Sequence, residues 1–385
     1  MLGGIFHKDK NESPGPWDID ALEERPFIDW IETEDRIKSL YYANEPYHGE
    51  ETRIYAMYSY PLDVEEPVPG VVLVHGGGGR VFPEWVEMWE ERGYAALAMD
   101  LSGSGADGER LDRGAGPDQG HQQKFEDIRD GIENTWPYHA VAAVVRATTV
   151  LSLQPEVDSE RIGMTGISWG GYLTCIAAGL DERVRAAVPV YGCGFLHESS
   201  CWVPILDELP QSERETWIEK FDPSHYIRRA KPPMLWVTHP TDDAYKLDSH
   251  RKSYEAQPGP KALSVQPGLG HSHEAGWSPD EIELFFNSHF GSEEPLPRIE
   301  WHNLDEKTVA VSVEAITTVK DATLYWTTDT CDWPEREWFS GEARGRGAIF
   351  TAELPEERPL NFFMNVTDER GATVSTPYRT FEQKS

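Results

Sequence analysis

Four short stretches of this 385-residue chain hold residue types suited to attacking a carbonyl carbon. The first is Gly166-Ile167-Ser168-Trp169-Gly170, which follows an apolar run and precedes a small-residue segment, Cys175-Ile176-Ala177-Ala178. Strand, sharp turn and helix in that order hold the central serine at the tip of a strained turn, with glycines where side chains would collide with neighbouring backbone. Ser168 is therefore the candidate nucleophile. The second stretch, His75-Gly76-Gly77-Gly78-Gly79, lets backbone N–H groups turn toward a ligand, as an oxyanion hole requires. Gly77 and Gly78 are the expected donors, joined by the N–H of Trp169, and His75 is expected to be structural. A phosphate loop would want Lys-Ser or Lys-Thr after the glycines, whereas Arg80-Val81-Phe82 follows. The third stretch places Asp242 and Asp243 just after an apolar run, and the fourth is Gly268-Leu269-Gly270-His271-Ser272-His273. His271, directly after the strand-ending glycines, is preferred as base, with His273 the alternative. The order Ser, Asp, His differs from that of chymotrypsin-like and subtilisin-like proteases. Such a set predicts acyl transfer to water through an acyl-enzyme, a reaction that needs no metal and no organic cofactor.

These groups require a scaffold. Continuous apolar runs at 70–74, 93–100, 184–192, 233–238 and 262–267 read as parallel strands covered on both faces, and amphipathic segments at 85–92 and 136–153 read as helices. The prediction is an α/β fold with a mostly parallel central sheet flanked by helices. Residues 1–50 read as an N-terminal extension with one helix around 28–40, and 54–60 as an exposed strand. The catalytic unit is expected over 51–292. Its polar, glycine-rich stretch 102–134 should line the mouth of the site, with His121, Asp127 and Asp130 as solvated polar groups. A lid-like helical insert is expected over 193–226, its aromatic residues serving as pocket lining or packing. After the stiff linker Glu293-Glu294-Pro295-Leu296-Pro297, at least five short strands predict an immunoglobulin-like β-sandwich over 298–385. Trp326, Trp333 and Trp338 there serve either as a sugar-stacking face or, more ordinarily, as core and inter-domain contacts.

Composition narrows the partners. The chain has 35 basic and 67 acidic residues, a net charge of -32, which disfavours nucleic acid and anionic membrane surfaces. The acidity is spread along the chain, as on a solvated surface. No apolar run reaches the roughly 18 residues of a membrane span, and Met1-Leu2-Gly3-Gly4-Ile5-Phe6-His7 is too short for a signal peptide. A cytoplasmic location is expected for the chain as given, apart from any leader already removed. The four cysteines lack metal-ligand spacing; Cys193 and Cys201 are near enough in sequence to bridge, although free thiols are the commoner state in a cytosolic enzyme. A homo-oligomer is compatible with everything in the sequence.

Taken together, Gly-Ile-Ser-Trp-Gly-Gly, the His-Gly-Gly-Gly-Gly loop, Thr-Asp-Asp-Ala-Tyr-Lys-Leu-Asp and Gly-His-Ser-His-Glu-Ala-Gly-Trp resemble the α/β-hydrolase superfamily over about residues 50–292. Within it they look like the dienelactone-hydrolase and acetyl-xylan-esterase-like branch, close to prolyl-oligopeptidase-type catalytic domains. In that branch the triad acid lies in a segment of the form Thr-Asn-Asp-Phe-Ala-Phe-Pro-Leu-Asp, whose first Asp matches Asp242. This sequence has Thr241 and Lys246 where the family pattern has Asn and Pro, so Asp243 stays a rival. The resemblance implies hydrolysis of short acyl esters, acetyl groups on a carbohydrate above all. The alternatives are a small peptidase or amidase using the same triad, and a catalytically silent carbohydrate-binding protein. A prolyl-oligopeptidase-type enzyme would be expected to carry a large N-terminal domain, for which 50 residues leave no room.

Overall fold

The computed structural model describes residues 15–32, 35–62 and 64–382. Nine strands make one sheet: β1 (Ile28–Ile31), β2 (Lys38–Tyr47), β3 (Glu50–Ser59), β4 (Val68–Val74), β5 (Ala95–Met99), β6 (Val157–Ile167), β7 (Val184–Val190), β8 (Met234–Thr238) and β9 (Lys261–Val265). Their spatial order is β1-β2-β3-β5-β4-β6-β7-β8-β9. From β5 to β9 neighbouring strands run parallel, and β1, β2 and β3 are added antiparallel at one side. The parallel strands read as apolar runs because helices cover both of their faces. The order reverses at β4, which has β5 on one side and β6 on the other. Ligands in such sheets bind in the crevice at the strands' C-terminal ends where the order reverses. Here β4 delivers the glycine loop and β6 delivers Ser168 to that point.

The helices are α1 (Ile19–Glu23), α2 (Pro83–Glu91), α3 (His121–Phe125), α4 (Trp136–Ser152), α5 (Trp169–Leu180), α6 (Val203–Glu208), α7 (Gln211–Phe221), α8 (Ser224–Ile227), α9 (Leu247–Ala256), α10 (His273–Trp277) and α11 (Asp280–Phe290). The apolar runs of α4 and α5 are almost wholly buried. Helices α2 and α11 pair through Trp89 and Phe286, whose rings lie 5.4 Å apart. The insert forms α6, α7 and α8, as its composition predicts.

Two expectations for the N-terminal part need correction. Among the described residues the helix expected around 28–40 is absent; β1 and the start of β2 lie there, paired with each other. The segment expected as an exposed strand is β3, hydrogen-bonded on both sides and largely buried. Tertiary pairing overrides the local pattern: Tyr42 reaches across the sheet's helix layer to donate to the Ala143 carbonyl at 2.8 Å, which fixes β2 against α4. Two strands of the main sheet thus precede residue 51. The Met1–His7 stretch lies outside the described residues.

The C-terminal part forms two antiparallel sheets from β10 (Arg298–Leu304), β11 (Thr308–Glu314), β12 (Val319–Thr327), β13 (Phe339–Glu342), β14 (Arg344–Arg346), β15 (Ile349–Glu353), β16 (Leu360–Asp368), β17 (Thr373–Ser375) and β18 (Arg379–Phe381). One sheet has the order β10-β11-β15-β14; the other is β13-β12-β16-β17, with β18 also on β16. All four cysteines are free thiols.

Candidate active site

Ser168 sits between β6 and α5 with φ 60° and ψ −117°, a conformation that costs a non-glycine residue strain and that clusters at functional sites. The flanking glycines are obligatory for a measurable reason. A Cβ on Gly166 would lie 2.2 Å from the Gly170 carbonyl oxygen, and one on Gly170 only 1.9 Å from that of Val74. The Ser168 N–H donates to Val190 O at 2.9 Å, and Tyr172 N–H closes the first helical turn on Ser168 O at 2.9 Å.

The acid and base come from the loops after β8 and β9. Asp242 is fully buried and accepts from the Ala244 and Tyr245 N–H groups at Oδ1, at 2.9 and 2.8 Å. Its other oxygen, Oδ2, lies 2.8 Å from His271 Nδ1. Burial alone would raise the Asp242 pKa, but the contacts with His239 and His271 outweigh it and hold the carboxyl well below the usual carboxylate range. Asp243 is exposed and its side chain makes no such contact. The His271 ring stacks on Tyr191, centroids 4.4 Å apart and planes 22° apart, and the Tyr191 hydroxyl donates to the Gly270 carbonyl at 2.5 Å. With Nδ1–H on the carboxylate, Nε2 of His271 is left as the proton acceptor, the tautomer that general-base catalysis needs.

His239 Nε2 also lies 3.2 Å from Asp242 Oδ2, without the alignment of a hydrogen bond. His239, Asp242 and His271 offer ligand atoms within 4.8 Å of one another, a set that could hold a metal ion. The 2.8 Å Nδ1–Oδ2 contact is the geometry of a shared proton, which favours the triad use of the same side chains.

His273 occupies a different place. Its Nε2 accepts from the Gly76 N–H at 2.9 Å, and burial lowers its pKa to about 4, so it is a neutral acceptor that pins the glycine loop. His75 pins the other side, with Nδ1 2.8 Å from Gly76 O and Nε2 accepting from Leu101 N–H at 2.9 Å. Within the loop, Gly79 N–H is engaged with Gly76 O at 3.1 Å and Gly78 N–H with Gln119 Oε1 at 3.1 Å. Gly77 N–H has no acceptor among the described residues. Trp169 N–H is the first of its helix and has no intrahelical acceptor either. Of the two glycines expected as donors, Gly77 is thus free to act and Gly78 is already bonded. A Cβ on Gly77 would lie 3.0 Å from Trp169 Cδ1, so a side chain there would push the loop or the indole a few tenths of an ångström apart.

Aromatic rings wall this end of the sheet. Trp169 meets Trp202 from the insert at 4.6 Å, Tyr172 at 4.9 Å and Trp136 at 5.5 Å. The 102–134 stretch is ordered against them: Trp217 of α7 donates from Nε1 to the Lys124 carbonyl at 2.7 Å. Sequence reasoning missed Gln119, Lys124, Tyr191 and His239. Tyr191 and His239 stand directly after β7 and β8, a position that could have drawn attention; Gln119 and Lys124 carry no local signal.

A family model described as Acetyl xylan esterase (AXE1) matches residues 31–230, just over half of the 385 residues. The chain belongs to the acetyl xylan esterase family. A second family model, PhoPQ-activated pathogenicity-related protein, matches 205–333, from the insert into the sandwich. The fold is similar to that of an acetyl xylan esterase from Paenibacillus sp. R4, with a TM-score of 0.57 and 23% identity over 70% of this chain and 92% of that one. It is also similar to an acylaminoacyl peptidase of Pyrococcus horikoshii, with a TM-score of 0.51 and 21% identity over 68% of this chain and 43% of that one. An uncharacterized protein of Mycobacterium tuberculosis is 27% identical over 184 residues, 46% of this chain and 39% of the relative, so the match spans well under half of that protein. The α/β-hydrolase fold expected of this family member is the fold observed. Among the described residues no helix is long and apolar enough to cross a membrane.

Proposed function

We propose that this member of the acetyl xylan esterase family hydrolyses short acyl esters, acetyl groups on a carbohydrate above all, with Ser168 as nucleophile, His271 as base and Asp242 as its partner. The observation that carries the reading is the Asp242–His271 hydrogen bond at 2.8 Å, with His271 stacked on Tyr191, the residue after the Val190 carbonyl that accepts from Ser168 N–H, together with a serine held at φ 60° and two unengaged amides, Gly77 and Trp169. His271 Nε2 takes the Ser168 proton as Oγ attacks the ester carbonyl, and the buried Asp242 carboxylate stabilises the imidazolium. The two amides, one of them at a helix N-terminus, meet the developing oxyanion. His271 then protonates the departing alkoxide. Water, deprotonated by the same imidazole, cleaves the acyl-enzyme and restores Ser168. No step calls for a group other than these side chains, the two amides and water.

The peptidase alternative shares the fold, so the substrate separates the two. An ester's alkoxide leaves more readily than an amine, and an esterase can rely on triad and oxyanion hole without subsites for an extended chain. The aromatic wall of Trp169, Trp202 and Tyr245 supports a short acyl limit. The expected result is labelling of Ser168 by a fluorophosphonate and a steep fall in kcat/KM from acetyl to octanoyl p-nitrophenyl esters. Efficient cleavage of aminoacyl-p-nitroanilides with weak acetyl-ester cleavage would establish the peptidase reading instead, and absence of labelling would favour a silent binding protein.

A further inference from the structure

Lys124 is a buried cation near the site whose chemistry the proposed reaction leaves unused. It is 4% exposed, on the short helix α3 that the 102–134 stretch carries to the oxyanion loop. Its Nζ stands 4.6 Å from the centroid of the Trp169 ring and 5.1 Å from that of Trp136. It also lies 3.9 Å from the position that a Cβ on Gly77 would take, so it borders the glycine whose N–H is unengaged. Among the described residues no hydrogen bond or ion pair reaches this Nζ. The groups that bear on its charge are Asp118, which lies beyond ion-pair distance, the Cys201 thiol, which burial pushes up to about 11, and His75, which burial keeps neutral. None of them is a counter-ion in contact.

A second donor stands beside the first. Gln119 holds the Gly78 N–H with Oε1, and its Nε2 is buried without an acceptor. An ammonium therefore borders Gly77 and an amide NH2 belongs to the side chain bonded to the adjacent Gly78, and neither has a partner among the described residues. Two indole faces offset part of the cost of burying a cation, but its hydrogen-bonding capacity stays unsatisfied. A group with several acceptor lone pairs and a negative charge fits both donors.

We propose that Lys124 and Gln119 form a carboxylate-recognition subsite beside the oxyanion position, and that the chain accepts small esters bearing a carboxylate close to the scissile bond. The inference rests on the ester-hydrolase reading above and refines its substrate class. It is compatible with a net charge of -32. Surface potential repels an extended polyanion, yet at physiological salt it is screened over about 8 Å, whereas the ammonium acts on a bound carboxylate at contact. Burial lowers Lys124 to about 8, so the subsite is cationic at neutral pH and fades as pH rises through that value.

The test compares kcat/KM within matched pairs: 4-acetoxybenzoate against methyl 4-acetoxybenzoate for a carboxylate on the leaving side, and monoethyl glutarate against diethyl glutarate for one on the acyl side. Rates are normalised to the hydroxide-catalysed reaction of each ester. The wild-type chain is expected to prefer the anionic member of at least one pair by about tenfold or more, and the preference should decline as pH rises through about 8. Lys124→Met should cut that preference at least about tenfold, Lys124→Arg should keep part of it, and Gln119→Ala should cut it less. A wild-type preference for the neutral member of both pairs overturns the proposal, even where the variants fold poorly. Equal loss on both members in Lys124→Met also overturns it and assigns the cation to packing or to the oxyanion. Failure to turn over any of the four esters would instead count against ester hydrolysis itself.

Discussion

At the residue scale the two histidines of Gly-His-Ser-His divide the work by which nitrogen meets what. His271 Nδ1 faces a carboxylate, while His273 Nε2 accepts from a backbone amide. His271→Ala is accordingly expected to lower kcat by four to six decades, the scale on which such triads collapse, as measured with a p-nitrophenyl acetate assay. His273→Ala should lose on the order of tenfold, through a looser glycine loop, and should keep fluorophosphonate labelling of Ser168. The reverse ranking would exchange their roles. Asp242→Asn should fold and lose roughly four decades because the imidazole loses the partner that sets its tautomer. Asp243→Asn, at an exposed position, should be near normal.

At the element scale the site depends on a close backbone approach that a side chain would crowd. The glycine loop after β4 touches the Trp169 indole at Gly77, and a methyl there would press on Cδ1 at 3.0 Å. Gly77→Ala should therefore retain the melting temperature to within a few degrees but lower kcat on the order of a hundredfold, the usual scale for a displaced oxyanion donor. Unchanged turnover would remove Gly77 from the oxyanion site. Under β9, α11 supplies Glu281, which burial raises to about 7 despite bonds from Ser264 and Gln266. The folded chain holds this proton while the unfolded chain releases it above its ordinary 4.5, so stability present below 4.5 is lost as pH rises to 7. Glu281→Gln should raise stability by up to about 3 kcal/mol at pH 8 and by almost nothing near pH 4.5, read from denaturant midpoints.

At the scale of the whole molecule the sandwich covers what would otherwise be an open sheet edge. Strand β9 ends the main sheet, and its Val265 N–H donates to Ser375 Oγ at 2.7 Å while Asn365 Nδ2 donates to Val265 O at 2.8 Å. Covering an edge in this way prevents its pairing with another chain. The same interface grips the segment that follows Asp242: Lys246 pairs with Asp332 at 2.6 Å, Trp333 Nε1 donates to Asp248 Oδ2 at 2.7 Å, and the Tyr378 hydroxyl bonds to Asp248 as well. Trp333 is thereby an inter-domain contact, which answers the sugar-face alternative for that residue. Asp248→Ala leaves two buried donors unpaired and is expected to destabilise by about 2–3 kcal/mol and to lower kcat more than it raises KM. A variant that loses stability with kcat intact would show that the interface does not reach the acid loop. Acidification strains the molecule elsewhere. Burial lowers His139 and His250 from 6.5 to about 4, so between those values the unfolded chain takes up protons that the folded chain refuses. Stability held above pH 6.5 should fall as pH drops to 4, by up to about 3 kcal/mol per histidine, in denaturant titrations across that window.

What the sequence determined by itself are the features in which a few neighbouring residues suffice. Gly-x-Ser-x-Gly after an apolar run specifies the elbow because steric exclusion at Gly166 and Gly170 is local to that turn. Apolar runs specify buried parallel strands because the helices over both faces leave no position for a polar residue. The strands of the sandwich were legible as short strand-like segments at turn-punctuated spacing, apart from the short β13, β14 and β18 and the mostly exposed β10, where few buried positions mark the pattern. The tertiary structure alone decided whatever depends on partners distant in the chain. Residues 28–31 and 38–40 became strands because β2, β3 and α4 offered them backbone partners and a core, against a local pattern that read as helix. Which of Asp242 and Asp243, and which of His271 and His273, meet each other follows from the separate loops after β8 and β9 converging across a sequence separation of 29. Lys124 and Gln119 reach the glycine loop through a stretch with no periodicity to read. Their function arises from what stands opposite them once the chain has folded, and that is information no single segment contains.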